Sequence, residues 1–374
     1  MIVTSAAGYD DPTVKYPRSE RTPEGAEIKR VPASSLGKSS IPRRILASVA
    51  FMLQSLWIGL RTPRLAGVLF STSPPLIGLV GVLLGALRRV PVAYWVMDLN
   101  PDQLIALGKL APGGVVARGL ARCNRLIFRR SALVVALDSA MAARLAVTDP
   151  SRPAVRVIPP WSAKQGLAPA NGQLNAFRVE HQLGNATVVM YSGNHTPSNP
   201  LDTLLLASRS FRDNRAIKFI FVGGGAGKAE VEAFIEQTAP PNVLSLPYQP
   251  ESTLAVSLSA ADVHVVSLGD GMAGVIHPSK IYAAMAAGRP ILYFGPRPSH
   301  VTELLDRYDI GWRIAHGDID GAIAVLDQIL VLPHEQRAQM GERARAALYR
   351  DLAPDRLCEQ FCDAVQRGLE ITDD

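Results

Sequence analysis

Cysteine is scarce in this chain of 374 residues: Cys123, Cys358 and Cys362 are the whole complement. They form no CxxC pair and no Cys/His cluster, which excludes a disulfide framework and a thiolate zinc site and fits a reducing compartment. Long apolar runs are also missing. "ILASVAFMLQSLWIGL" (45–60) has 16 uncharged residues and "LIGLVGVLLGAL" (76–87) has 12, both short of the roughly 20 that a spanning helix needs. Two helices buried against a sheet are expected there. Residues 1–30 hold no apolar core of the length a secretory signal requires. There is no basic stripe interleaved with aromatics, which argues against a nucleic-acid partner. The Gly-rich segments lack a GK[ST] ending, so none of them is a P-loop.

What is present describes a folded α/β protein. Hydrophobic residues make up 48% and charged residues 19%, and the length suits two domains of about 150 residues each. A net charge of +6 points to an anionic partner such as a nucleotide phosphate or an acidic lipid surface. Short β-branched runs alternate with helical stretches, the pattern of parallel sheets with crossover helices. In the first half the strands are expected at 68–72, 92–97, 132–137 and 155–159, with weaker ones at 2–5 and 27–32. In the second half they are expected at 187–193, 217–223, 242–247, 262–268, 290–295 and 310–314. The aperiodic stretch "VIPPWSAKQGLAPANGQL" is the best linker. It divides an amino domain (1–162) from a carboxyl domain (163–334), which a polar helical tail (335–374) follows. Two doubly wound sheets facing each other would leave a cleft at their carboxyl edges, where such sheets bind ligands.

Three segments carry candidate chemistry. "FVGGGAGKAEVE" (221–232) is a strand, a Gly-rich turn and a helix, and its glycines would let backbone N–H groups approach a phosphate or a base. "YSGNHTPSNPLDTLLLA" (191–207) has the same form, with Asn194 and His195 beside Gly193. "GMAGVIHPSKIYAAMAAGRPILYF" (271–294) places Pro278 at a helix start, Ser279 and Lys280 in its first turn, and Gly288 after its end. A Lys there opposes the helix dipole, and a nearby anion would relieve the conflict. A packed Ala-rich helix with a surface Lys is the simpler alternative. A further segment, "VVARGLARCNRLIFRR" (115–130), sets Arg118, Arg122, Arg125 and Arg129 on one helical face. Such a face suits an anionic membrane or merely solvates the core.

The order "YSGN…PLDTLL…FVGGG…LPY…AADVHVVSL…PSKIYAAMAAGRPIL…GW" resembles the carboxyl half of GT-B glycosyltransferases of the family-4 type, in the branch that builds bacterial surface polysaccharides. "STSPP" (71–75), "MDLNPDQLIALG" (97–108), "FRRSALVVALDSAMAARL" (128–145) and "VIPPW" (157–161) agree for the amino half. The resemblance implies two Rossmann-like domains facing a cleft. It implies a retaining, metal- and cofactor-independent transfer from a nucleotide-sugar to a polyprenyl-linked or glycan acceptor, at the cytoplasmic face of the inner membrane. By position, Gly193 and Asn194, with His195 beside them, would face the donor phosphates, Gly223, Gly224 and Gly225 the nucleotide, and Pro247 and Tyr248 the base. Ser279 and Lys280 would meet the diphosphate, and Asp98 stands at the catalytic position of the amino domain.

Two departures from the family pattern stand out. Its paired Glu positions are Val275 and Ala283 here, and His277 is the candidate to replace the first. This loss favours the alternative of a catalytically impaired donor-binding or scaffolding subunit. The amino domain also lacks the family's first strand, loop and helix before "IVTS". The expectation is therefore an open strand edge and a chain of low stability and weak activity by itself, from a start assigned too late or a truncation that a partner completes.

Overall fold

The computed structural model describes residues 1–6, 14–32, 41–148, 155–161 and 175–369. Most of the expected linker, at 162–174, lies outside them. The carboxyl half is a six-stranded, all-parallel sheet of β8 (Thr187–Ser192), β9 (Ile217–Val222), β10 (Val243–Leu246), β11 (Val263–Ser267), β12 (Ile291–Phe294) and β13 (Gly311–Ile314). The spatial order is β10-β9-β8-β11-β12-β13. Runs such as "IKFIFV" and "ILYF" are apolar on both faces because helices cover both sides of a parallel sheet. Val189, Tyr191, Phe219 and Phe221 point to one core, and Val188, Met190, Ile220 and Val222 to the opposite one. The chain winds outward from β8 in one direction and from β11 in the other. The loops that leave these two neighbours diverge and open a crevice at the switch point.

The amino half holds a parallel sheet of β4 (Val68–Phe70), β5 (Val92–Trp95), β6 (Leu133–Ala136) and β7 (Arg156–Val157), in that order. A separate three-stranded sheet has the order β1-β3-β2, from β1 (Ile2–Ser5), β2 (Ser19–Arg21) and β3 (Glu27–Val31). β1 runs parallel to β3, while β2 pairs with β3 antiparallel, a hairpin that hydrophobic patterning did not reveal. Among the described residues β1 and β4 each end their own sheet, so each has one edge without a strand partner.

The two apolar helices depart from the expectation of burial. The helix Ile77–Arg88 packs closely on its inner side: a side chain on Gly78, Gly81 or Gly85 would collide with Ile127, Phe70 or Val92. Outward it presents Leu83 and Leu87. The helix Ile41–Arg61 departs further, because Ile45, Leu46, Val49, Leu53, Trp57 and Leu60 form an exposed apolar stripe along it. Its residues are apolar nearly all round, so periodicity could not tell which face would be covered; Gly59 against Leu84 marks the face that is.

The halves are joined through the segment 274–277 and through the tail. Leu99 N–H donates to the Val275 carbonyl at 2.8 Å, and Asp98 forms an isolated antiparallel bridge with Ile276. Gly274 (φ 69°) lies against the Ala140 carbonyl, 2.5 Å from where a Cβ would stand. The tail is less polar in its packing than its composition suggested. Helix His334–Asp351 lies against the helix Lys280–Ala286, with Gly341 touching the Gly288 backbone. Helix Pro354–Gly368 then crosses back to the amino half. There Phe361 packs with Trp95 and Trp161, at ring centroid distances of 4.6 and 5.5 Å. Leu133 and Gly368 are in contact at the same junction.

Candidate active site at the sheet switch point

The loops after β8 and β9 are stitched together backbone to backbone. His195 N–H donates to the Gly224 carbonyl at 2.8 Å, and Gly227 N–H returns a bond to the His195 carbonyl at 3.0 Å. Gly223 has φ 131°, and a Cβ on it would stand 2.0 Å from the Gly193 carbonyl oxygen. Gly225 (φ 119°) would likewise place a Cβ 2.1 Å from Asn194 Oδ1. Both positions therefore require glycine for space and for backbone angle. The Tyr191 hydroxyl donates to the Asn194 carbonyl at 2.9 Å and fixes the first loop from beneath.

Lys280 is the first residue of the seven-residue helix Lys280–Ala286, two residues later than Pro278 suggested. Ser279 before it is exposed and makes no side-chain cap. The stem of Lys280 lies over Gly193, where a Cβ would come within 2.9 Å of Cε. Its ammonium stands 5.5 Å from the centre of the Tyr191 ring. The Asn199 carboxamide, oriented to satisfy both its ends, accepts from Lys280 Nζ at 3.0 Å and donates to the Ser267 carbonyl at 2.9 Å. Burial pushes the Lys280 pKa down to about 8, and among the described residues no carboxylate forms an ion pair with it. A half-buried cation held between a neutral amide and an aromatic face is suited to meet an anion. Asn199 was not singled out by the sequence, since an Asn six residues past a strand reads as an ordinary loop residue.

The neighbouring groups take different parts. His195 is 1% exposed and edge-on to Tyr191. Burial, reinforced by Lys228 and Lys280, lowers its pKa to about 4, so the ring is neutral. Lys228 spends its ammonium on the Phe221 and Leu246 carbonyls, at 3.1 and 2.7 Å, which tie β9 to β10. Asn194 and Pro247 are exposed. The exposed Tyr248 ring lies over Gly224, and its hydroxyl donates to the Gly224 carbonyl at 3.2 Å, leaving a flat aromatic face at the rim. Gly193, Asn194, His195, Gly223, Gly224, Gly225, Tyr248 and Lys280 are thus gathered in one place.

Two predicted positions behave otherwise. His277 does not face this crevice with a free ring: its side chain is 2% exposed, Nδ1 lies 2.7 Å from Asp138 Oδ2, and Nε2 lies 2.8 Å from the Tyr282 hydroxyl. Val275 is fully buried in the core shared by both halves, so no polar group stands where the family pattern has its first Glu. Asp98 is half-buried after β5, and burial holds its carboxyl above the ordinary value. Its bridge to Ile276 brings it to the segment that leads into Lys280. Among the described residues no group of three or more His, Cys, Asp or Glu converges as a metal site.

The depressed Lys280 pKa has a consequence for stability. The unfolded chain binds a proton at this residue up to about pH 10.5, the folded chain to about 8. The unfolded state therefore holds more protons between these values, and stability rises with pH across that window. Below pH 8 the full cost of burying the charge is present, of order 3 kcal/mol. Lys280→Met should raise Tm at pH 7, with a gain that shrinks as the pH approaches 10. Thermal unfolding of both proteins across that range checks it.

Comparison with known proteins agrees with this geometry. The family model described as "Glycosyl transferase 4-like domain" matches residues 2–161, and "Glycosyl transferases group 1" matches residues 175–347. The chain is 25% identical over 301 residues to the Pseudomonas aeruginosa glycosyltransferase WbjE, covering 80% of this chain and 74% of that one. It is 24% identical over 363 residues to Escherichia coli (strain K12) WcaI, named as a colanic acid biosynthesis glycosyl transferase, covering 93% and 86%. Among solved structures, HepE of Anabaena in complex with UDP and glucose superposes with a TM-score of 0.68 at 15% identity, covering 91% of this chain and 86% of that one. Two parallel-sheet halves, glycine loops meeting at a switch point and two family models that together span most of the chain place it in one family: this protein is a GT-B glycosyltransferase of the family-4 type.

Proposed function

We propose that this glycosyltransferase moves a sugar with retention of configuration and without a metal or cofactor, from a nucleotide-sugar held by the carboxyl half to a lipid-linked or glycan acceptor. The bond from the anomeric carbon to the diphosphate breaks, and the acceptor hydroxyl bonds to that carbon on the same face. The acceptor proton passes to the departing phosphate oxygen. The observation that carries this reading is Lys280, poised over Gly193 and, among the described residues, in no ion pair with a carboxylate. A fixed cation there would stabilise the negative charge that develops on the leaving diphosphate. The exposed face of Tyr248 would stack on the base. The Anabaena relative is named with UDP and glucose bound, which makes UDP the first nucleotide to test. The colanic acid biosynthesis in the name of the Escherichia coli relative supports a polysaccharide acceptor.

The loss of both Glu positions keeps the scaffolding alternative in play, and one pair of variants separates the two readings. Lys280→Ala should weaken UDP binding by about 10- to 100-fold, the cost of one charge-assisted contact. Asp98→Asn should lower turnover while leaving UDP affinity within about twofold. Calorimetry and UDP release from a nucleotide-sugar panel check both. UDP binding with no transfer by the unaltered chain would select the scaffold.

A membrane-facing acceptor is supported by charge and by surface. Between residues 41 and 137 the chain carries twelve Lys or Arg and two acidic residues, although the whole chain is only +6. No helix among the described residues is long and apolar enough to cross a membrane. The exposed stripe from Ile45 to Leu60 instead lies beside Leu83 and Leu87, and Arg61 is exposed at its end over the Trp57 ring. The helix Val115–Arg130 completes this side with Arg118, Arg122, Arg125 and Arg129 exposed and Ile127 and Phe128 buried. Apolar side chains flanked by cations fit shallow insertion into an anionic bilayer. Flotation with phosphatidylglycerol-containing vesicles should show binding that weakens with salt and is lost in Leu53→Glu. Binding that ignores salt, lipid charge and this substitution would defeat the proposal.

A further inference from the structure

A buried chain of four polar side chains crosses the junction between the two halves, and the reaction proposed above does not use it. Asp138 follows β6 in the amino half, and its Oδ1 accepts the Met141 N–H at 2.8 Å. Its Oδ2 meets His277 Nδ1 at 2.7 Å, His277 Nε2 meets the Tyr282 hydroxyl at 2.8 Å, and that hydroxyl meets His300 Nε2 at 3.0 Å. The Asp138 and His277 side chains are each 2% exposed, and Tyr282 and His300 are buried beside them. A carboxylate can only accept, so His277 Nδ1 is the donor to Asp138. Burial is the largest influence on the Asp138 carboxyl and works against its charge, but the His277 hydrogen bond and charge, the Met141 N–H and His300 together outweigh it and hold the carboxyl below its ordinary value. The Tyr282 hydroxyl stands between the two rings, bonded to His277 Nε2 on one side and to His300 Nε2 on the other. Glu303, which accepts from the Ser139 hydroxyl, and Asp98, bridged to Ile276, are further ionisable groups at this junction.

Such a network is a poor means of gaining stability, since well-packed apolar side chains of similar volume serve as well or better. Its location suggests another role. His277 ends the segment 274–277, which is held by the amino half at Gly274, Val275 and Ile276 as well. Three residues after His277 stands Lys280, and opposite Ile276 stands Asp98. We propose that the Asp138–His277–Tyr282–His300 chain is a positioning device, which locks the register of residues 274–280 against the amino half and so fixes Lys280 relative to Asp98. The placement of the reacting groups rests on the roles given above to Lys280 and Asp98. The locking of register does not.

The test separates these two parts. Tyr282→Phe keeps the ring and removes both hydrogen bonds of the hydroxyl. Amide hydrogen exchange should then speed up about tenfold or more at Leu99, whose N–H donates to Val275, and UDP affinity should stay within about twofold. UDP release from UDP-glucose should lose kcat without a matching change in donor KM. Asp138→Ala should do the same, whereas Asp138→Asn should retain most of the wild-type behaviour. Its carboxamide still accepts the Met141 N–H, and its NH2 group donates to Nδ1 of the other His277 tautomer. Unchanged Leu99 exchange in Tyr282→Phe overturns the lock, whatever the turnover shows. Failure of Asp138→Asn as complete as that of Asp138→Ala also overturns it, because charge rather than register would then be what matters. Faster exchange with undiminished kcat leaves the lock standing and removes its link to Lys280 and Asp98. If UDP-glucose is not turned over at all, the exchange data alone decide.

Discussion

Where β8 and β9 end, two backbones approach so closely that the Gly193 carbonyl occupies the space a Cβ on Gly223 would need. The rest of the site depends on this contact. It lets the two loops exchange hydrogen bonds through His195, Gly224 and Gly227, which makes one rigid floor of two turns. It also leaves room above Gly193 for the stem of Lys280, whose ammonium would otherwise have no route into the crevice. A methyl group at Gly223 would separate the loops, and one at Gly193 would displace the cation. Glycine is present for the approach of backbone and Lys, and the sheet order places that approach at the switch point.

In the proposed reading a single cation, Lys280, meets the donor diphosphate. Neither Glu of the family pattern is present, and the structure explains the first position: Val275 is part of the apolar junction between the halves. A charged side chain there would be buried among Leu, Ile and Met. The segment that could have contacted the donor sugar is used instead to hold the halves together, with Asp138 and His277 as its polar anchor. Burial keeps Lys280 reactive toward anions by leaving its charge incompletely solvated, at a cost to the stability of the free protein.

The sheet was readable because parallel strands covered on both faces are continuous β-branched runs, and "IKFIFV" or "VHVVS" fits nothing else between helices. The glycine loops were readable for the same reason, since a strand ending in glycine before a helix signals close approach of something. Three features were not readable. β2 is three polar residues with no hydrophobic period, so its hairpin with the expected β3 was hidden. The exposed stripe on Ile41–Arg61 could not be told from a buried face, because the helix is apolar nearly all round. The partnership of His277 with Asp138 spans 139 residues of sequence and joins two halves. No local pattern announces a contact of that kind, and the same His reads equally well as a donor ligand.

The central claim is that the crevice between the loops after β8 and β11 holds a nucleoside diphosphate on Lys280. A crystal structure with UDP bound tests it most directly. The account predicts a diphosphate oxygen within hydrogen-bonding distance of Lys280 Nζ, with the base against Tyr248 and the Gly223–Gly225 turn. UDP ordered elsewhere on the protein, with Lys280 still paired to Asn199 alone, would contradict it.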